Sequence, residues 1–287
     1  MAWRRTARAI LLGTICVIAA LIGAVLIVIV VQGKRKPDTS GQYVAMGSSF
    51  AAGIGLGPHA PGSPLVCMRT TGGYPHLLAR DLALSLVDMT CSGSTTDHIL
   101  DGGQMFLGPQ LDAIGPAARL VTITTGGNDI GYIGGLIHAS AKVSAIDHAL
   151  VGKPPPVDPR AFDKVTGNLV RIVKEARRRA PLARIVLASY PPALPPSGSC
   201  PALGISDDAA AKARDAADHL AAATRKAARL SDALFVDMNI IGAEHGVCSA
   251  DPWINGPAPR TGVPFHPNAE GAQAVADAIR ASLDRSR

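Results

Sequence analysis

Four short stretches of this sequence carry side chains suited to acyl transfer. AMGSSFAAG at Ala45–Gly53 sets two adjacent serines, Ser48 and Ser49, after a short apolar run. CSGSTT at Cys91–Thr96 contributes Gly93, GGND at Gly126–Asp129 contributes Asn128, and FHPN at Phe265–Asn268 contributes His266. Attack on an acyl carbon needs a nucleophile, a base within hydrogen-bond reach, and donors aimed at the oxygen that becomes negative. A serine hydroxyl can attack, an imidazole can take its proton, and backbone N–H groups with a carboxamide can hold the oxyanion. Each stretch alone has a plainer reading. Serines after a strand are commonly turn or cap residues, Gly-Gly-Asn-Asp is ordinary turn composition, and a histidine before Pro267 can simply cap a helix. Together the four favour catalysis, with Asp129 in a structural role.

Such residues can meet only if regular elements deliver them to one edge. Apolar runs predict strands over Tyr43–Met46, Ser85–Met89, Leu120–Thr124, Ala183–Ser189 and Ala233–Val236. Between and after them, helical patterns span Tyr74–Asp81, Asp163–Ala180, Asp207–Ser231 and Asn268–Asp284. The third of these opens on Ser206-Asp207-Asp208, an N-cap followed by acids that suit a helix start. This β/α alternation predicts an α/β fold with a parallel sheet covered on both faces, and a site at the carboxyl ends of its strands. The Pro-rich segments Gly152–Pro159 and Pro191–Pro201 read as loops, because the alternation resumes after each.

The chain has 287 residues, 47% of them hydrophobic, enough for a substantial core. Its formal charge of +6 is concentrated at one end: Arg4, Arg5, Arg8, Lys34, Arg35 and Lys36 occur with no acid among the first 36 residues. The remaining 22 basic residues balance 22 acidic ones, so the charge does not point to nucleic acid as a partner. Those basic residues bracket an uncharged stretch from Ala9 to Gly33, long enough as a helix to cross a bilayer core of about 30 Å. It runs on into VVQGKRKP without an A-x-A-like exit, which favours an uncleaved anchor over a signal peptide. The expected organisation is a basic cytoplasmic segment over residues 1–8, a transmembrane helix over 9–33, a linker over 34–42 and a catalytic domain over 43–287. Four cysteines lie beyond the span, Cys67, Cys91, Cys200 and Cys248, an even number compatible with two disulfides in an oxidising compartment. Their scatter, with no C-x2-C pair, argues against zinc. The domain is therefore expected outside the cytoplasm, on a single-pass membrane protein.

Other motifs are missing. No serine sits in G-x-S-x-G, and neither a Walker A loop nor H-E-x-x-H occurs. GIGLG at Gly53–Gly57 lacks the spacing of a dinucleotide loop and precedes Pro58. The other histidines show no ligand spacing, so neither metal nor cofactor is expected.

In family order, the four stretches resemble the SGNH (GDSL-type) hydrolases, of the secreted actinobacterial esterase and lipase kind. YVAMGSSFAAG resembles their first block, usually G-D-S; CSGSTTD the glycine block; TTGGNDIGY the G-x-N-D block; FHPNAEG the histidine block. The resemblance runs from Tyr43 nearly to the C-terminus and implies a three-layer α/β/α sandwich with a flavodoxin-like parallel sheet. It makes Ser49 the nucleophile and His266 the general base, with the Ser49 and Gly93 backbone N–H groups and the Asn128 side chain as oxyanion donors. It also implies the disulfides Cys67–Cys91 and Cys200–Cys248.

Two positions depart from the family pattern. Ser48 replaces the usual Asp, and Val263 stands where many relatives carry an acid three residues before the histidine. The expectation is a Ser49–His266 dyad oriented by the Val263 carbonyl, with a carboxylate such as that of Asp251 as the alternative. The implied activity is ester hydrolysis. An O-acetylesterase or acyltransferase on cell-envelope glycans or glycolipids, and a non-catalytic binding protein on the same fold, are the alternatives.

Overall fold

A computed structural model of the chain describes residues 2–154 and 157–285. Met1, Pro155, Pro156, Ser286 and Arg287 lie outside the described residues, and with them the ends of the expected basic segment and catalytic domain and the middle of the first Pro-rich loop. In chain order the elements are α1 (Ala2–Gly33), β1 (Tyr43–Gly47), α2 (Ser49–Ala52), α3 (Tyr74–Asp81), β2 (Leu86–Asp88), α4 (Thr96–Asp101) and β3 (Leu120–Thr124). They continue with α5 (Tyr132–Ala139), α6 (Ala145–Val151), α7 (Pro159–Arg179), β4 (Arg184–Ala188), α8 (Asp207–Ser231), β5 (Leu234–Val236), α9 (Met238–Ile241) and α10 (Ala269–Arg285).

All four neighbouring strand pairs are parallel, in the order β2-β1-β3-β4-β5. This is the flavodoxin-like order, in which the chain reverses its direction of winding between β1 and β3. Every residue of β1 and β3 is buried, as a sheet covered on both faces requires. Successive side chains point to opposite faces. Val44, Met46, Val121 and Ile123 pack with Ile99 of α4, Leu136 of α5, Leu169 of α7 and Leu220 of α8. Tyr43, Ala45, Leu120 and Val186 pack with Tyr74 and Leu78 of α3 and Val275 and Ile279 of α10. Removing each large side chain from water contributes roughly 1.5–3 kcal/mol, so these two apolar layers hold the sandwich together.

Local chemistry sets the helix ends. The Asp158 side chain accepts the Arg160 N–H at 2.9 Å with Pro159 in the first turn, so α7 begins four residues before the expected Asp163. Ser206 caps α8 by accepting the Ala209 N–H at 3.2 Å. Asn268 accepts the Gly271 N–H at 2.8 Å at the start of α10. The N-terminal helix begins at Ala2, taking in the basic segment expected to precede it. Its stretch Leu12–Gly33 is 22 residues with mean hydropathy 3.2, long and apolar enough to cross a membrane, and only its last residue, Gly33, is buried by the rest of the chain. Cys67 is bonded to Cys91, and Cys200 to Cys248.

Candidate active site

The switch between β1 and β3 places the ends of both strands side by side, with Gly47 opposite Thr124. The Ser48 N–H donates to the Thr124 carbonyl at 3.0 Å, carrying the ladder one residue past β1. Gly47 has φ 149°, and a Cβ there would lie 2.3 Å from the Thr124 oxygen, so only glycine fits. The chain then turns into α2, whose first residue is Ser49.

Ser49 Oγ lies 2.8 Å from His266 Nε2. On the other side of the ring, Nδ1 lies 2.8 Å from the Pro264 carbonyl. A carbonyl only accepts, so Nδ1 carries the proton and Nε2 presents its lone pair to the serine hydroxyl. The expected Val263 carbonyl does not take this place: it accepts the backbone N–H of His266 at 3.3 Å. The reason is Phe265, whose φ of 56° turns the chain so that the carbonyl two residues back, rather than three, faces the ring. Left-handed backbone is unusual for a bulky side chain, and here Phe265 is fully buried and its N–H is tied to the Asn255 carbonyl at 3.2 Å. The Asn255 N–H also holds the His266 carbonyl at 2.8 Å. Asp251 stands beside His245, whose Nδ1 is 2.9 Å from its carbonyl oxygen.

Burial dominates the electrostatics of the imidazole. His266 is 8% exposed, with the Phe50 ring 5.2 Å away, and desolvation pushes its pKa down to about 4 against the opposing Pro264 hydrogen bond. At neutral pH the ring is an uncharged base.

The glycine and G-x-N-D stretches are tied to each other and to the serine loop. Asn128 Nδ2 donates to the Ser94 carbonyl at 2.8 Å. The neighbouring Asp129 carboxylate accepts the Thr96 N–H at 3.1 Å and also its hydroxyl, and burial raises its pKa in spite of these bonds. Gly93 is exposed, with φ 82°, a conformation that favours glycine.

Two residues that hold this arrangement were not legible in the sequence. Gln110 is buried; its Oε1 accepts the Gly47 N–H at 2.8 Å while its Nε2 donates to the Gly47 carbonyl at 3.1 Å and to Ser94 Oγ at 2.9 Å. Tyr190 places its hydroxyl 2.8 Å from Ser48 Oγ and accepts the Gly127 N–H at 3.3 Å. Ser48, 1% exposed, thus joins the serine loop to the Gly-Gly-Asn-Asp turn through one phenol. The one available hint for Tyr190 is its position just past a predicted strand; Gln110 lies in a segment with no distinguishing pattern.

Comparison with known proteins gives this geometry its context. Residues 45–274 match the GDSL-like Lipase/Acylhydrolase family. Lipase 2 of Streptomyces coelicolor is 33% identical over 252 residues, covering 82% of this chain and 83% of the relative. A lipase of Streptomyces rimosus is 32% identical over 232 residues, covering 80% of this chain and 81% of the relative. Among solved structures, the extracellular lipase of Streptomyces rimosus superposes with a TM-score of 0.68 at 28% identity, covering 84% of this chain and 98% of that one. Phospholipase A1 of Streptomyces albidoflavus superposes with a TM-score of 0.66 at 25% identity, covering 85% and 99%. Fold and likeness together define a carboxylic ester hydrolase. The chain belongs to the GDSL-like lipase/acylhydrolase family, the SGNH hydrolases.

Proposed function

We propose that the protein is a membrane-anchored esterase or lipase that works through an acyl intermediate on Ser49, with His266 as general base. The observation that carries this reading is the 2.8 Å contact between Ser49 Oγ and His266 Nε2, in a ring whose other nitrogen is committed to the Pro264 carbonyl.

In the first half-reaction the Ser49 proton moves to Nε2 as Oγ bonds to the ester carbonyl carbon. The oxygen that gains the negative charge is held by the Ser49 and Gly93 N–H groups and by Asn128 Nδ2, an amide with two N–H bonds of which one goes to Ser94. Collapse of this intermediate breaks the bond to the leaving alkoxide, which takes the proton from Nε2. In the second half-reaction His266 deprotonates a water that attacks the acyl group, and Ser49 recovers its proton as the acid leaves. The Pro264 carbonyl keeps the tautomer fixed and its dipole favours the imidazolium of each transition state, the tasks an acidic side chain performs in a triad.

The anchor reading rests on the apolar stretch Leu12–Gly33, buried only at Gly33, and on the basic residues at both of its ends. Two disulfides in the domain support placing it on the oxidising side, in keeping with a Streptomyces rimosus relative described as extracellular.

Fluorophosphonate labelling of the full chain in detergent tests the mechanism, comparing wild type with Ser49→Ala and Ser48→Ala. Label lost in Ser49→Ala and kept in Ser48→Ala is the expected result. A folded wild-type chain that takes no label would overturn the mechanism and favour a binding role for the same fold.

A further inference from the structure

We propose that two loops flanking the end of α1 insert their apolar tips into the membrane surface, so that the active-site edge of the sheet faces the bilayer and the ester it hydrolyses is a lipid carried there. The proposal rests on the membrane-anchored hydrolase reading above and adds to it the orientation of the site on the membrane.

One loop is the 3-10 turn Gln104–Phe106, where Met105 is 57% exposed and Phe106 62%. The other surrounds the 3-10 turn Leu65–Cys67, where Leu65 is 61% exposed and Met68 46%. Large apolar side chains scattered singly over a surface need no explanation, but neighbours on one patch do. These meet at the end of α1. The Leu65 N–H donates to Gln32 Oε1 at 3.1 Å, and a Cβ on Gly33 would lie 2.6 Å from the Phe106 carbonyl oxygen. The two tips therefore flank the last turn of the apolar helix.

That position identifies the occupant. Except for Gly33 at its end, no residue of Leu12–Gly33 is buried by the rest of the chain, and a stretch of that length and hydropathy is surrounded by hydrocarbon. The Leu65 and Phe106 backbones, which meet Gln32 and Gly33, then lie at the level where hydrocarbon gives way to headgroups. Lys34, Arg35 and Lys36 follow immediately, where cations meet lipid phosphates. At that level an exposed phenylalanine and two methionines gain by entering the acyl region.

The turn is also bound to the candidate site. Gln104 Nε2 donates to the Ser92 carbonyl at 2.7 Å, one residue before Gly93, and the turn is closed by the Gly103 N–H on the Leu107 carbonyl at 2.8 Å. Met105 and Phe106 both hold left-handed backbone, at φ 46° and 66°, which directs two bulky side chains outward from a short tether. A lipid leaving the bilayer beside Phe106 meets the Gly93 loop first.

The test uses the full chain reconstituted in phosphatidylcholine vesicles. Phe106→Trp adds an emission that is read against the wild-type background of Trp3 and Trp253, with and without nitroxide-labelled lipid. Quenching of the added emission by the labelled lipid, with protection from iodide, is the expected result. In parallel, Met105→Asn/Phe106→Asn, which suits left-handed backbone, should lower turnover of a long-chain ester embedded in the vesicles by about tenfold. It should leave turnover of a water-soluble short-chain p-nitrophenyl ester within about twofold. Vesicles that float with the protein while the added tryptophan stays open to iodide would overturn the docking and leave the anchor standing. Protection that follows protein density rather than labelled lipid would assign the patch to a second copy and equally overturn it. Protein that does not float at all would remove the anchor, and this inference with it.

Discussion

The Nδ1–H of His266 donates to the carbonyl of Pro264, two residues earlier in the same loop, across 2.8 Å. A carbonyl cannot take up a proton or carry a full negative charge, so it fixes the tautomer without the strong attraction that a carboxylate exerts on an imidazolium. Burial of the ring therefore outweighs this hydrogen bond, and the imidazole is a weak base, lowered to about 4.

The pH dependence follows directly. With the base uncharged down to about 4, kcat/KM should hold its neutral-pH value to about pH 5 and fall below that, rather than through the 6.5 of an ordinary histidine. Stability runs in the same direction. The unfolded chain binds the proton more readily than the folded one, so the His266 contribution is complete above about 6.5 and is lost as pH falls toward 4. A pH–rate profile on a short soluble ester decides it; an acid limb at 6.5 would mean that the ring is solvated or paired with a charge.

Asn128→Ala should lower turnover by about 10²–10³ with little effect on KM, the signature of a donor that acts mainly in the transition state. Steady-state kinetics provide the measurement. Full activity in this variant would remove Asn128 from the oxyanion site and leave it the loop tie to Ser94.

Tyr190→Phe removes the hydroxyl shared by Ser48 and the Gly127 N–H, leaving two buried polar groups without that partner. Denaturant unfolding should show a loss of about 1–3 kcal/mol. Ser48→Ala removes only one of the two contacts and should cost less, which a double-mutant cycle would show as coupling between the positions.

Replacing Cys67 and Cys91 together by alanine opens a cross-link spanning a sequence separation of 24. Loop entropy predicts a loss of roughly 3 kcal/mol. Because Cys91 is two residues before Gly93, the variant should also lose activity below its unfolding transition. An unchanged rate would show that the hydrogen bonds to this loop, from the Cys91 N–H to the Gly47 carbonyl at 3.0 Å and from Gln104, Gln110 and Asn128, hold it without the disulfide.

Much of the architecture could be read from local pattern. The helices Tyr74–Asp81 and Asp207–Ser231 and the strand Leu120–Thr124 have the expected bounds, because their ends carry caps or loop residues that act over a few positions. Where a cap lies outside the apolar pattern the bound shifts, as at Asp158, which starts α7 earlier than that pattern suggests.

What the sequence determined by itself was the order of the elements, their β/α alternation, and which loops carry the serine, asparagine and histidine. These follow from periodicity and short motifs, whose physics is local. The tertiary structure decided the contacts across the fold: Pro264 rather than Val263 on the imidazole, Tyr190 on Ser48, Gln110 clamping Gly47. Each is a single hydrogen bond whose partner depends on a backbone turn, such as the left-handed Phe265, or on a residue far away in the chain. No periodicity encodes such a pairing, because it is set only when the packed layers bring the two backbones together.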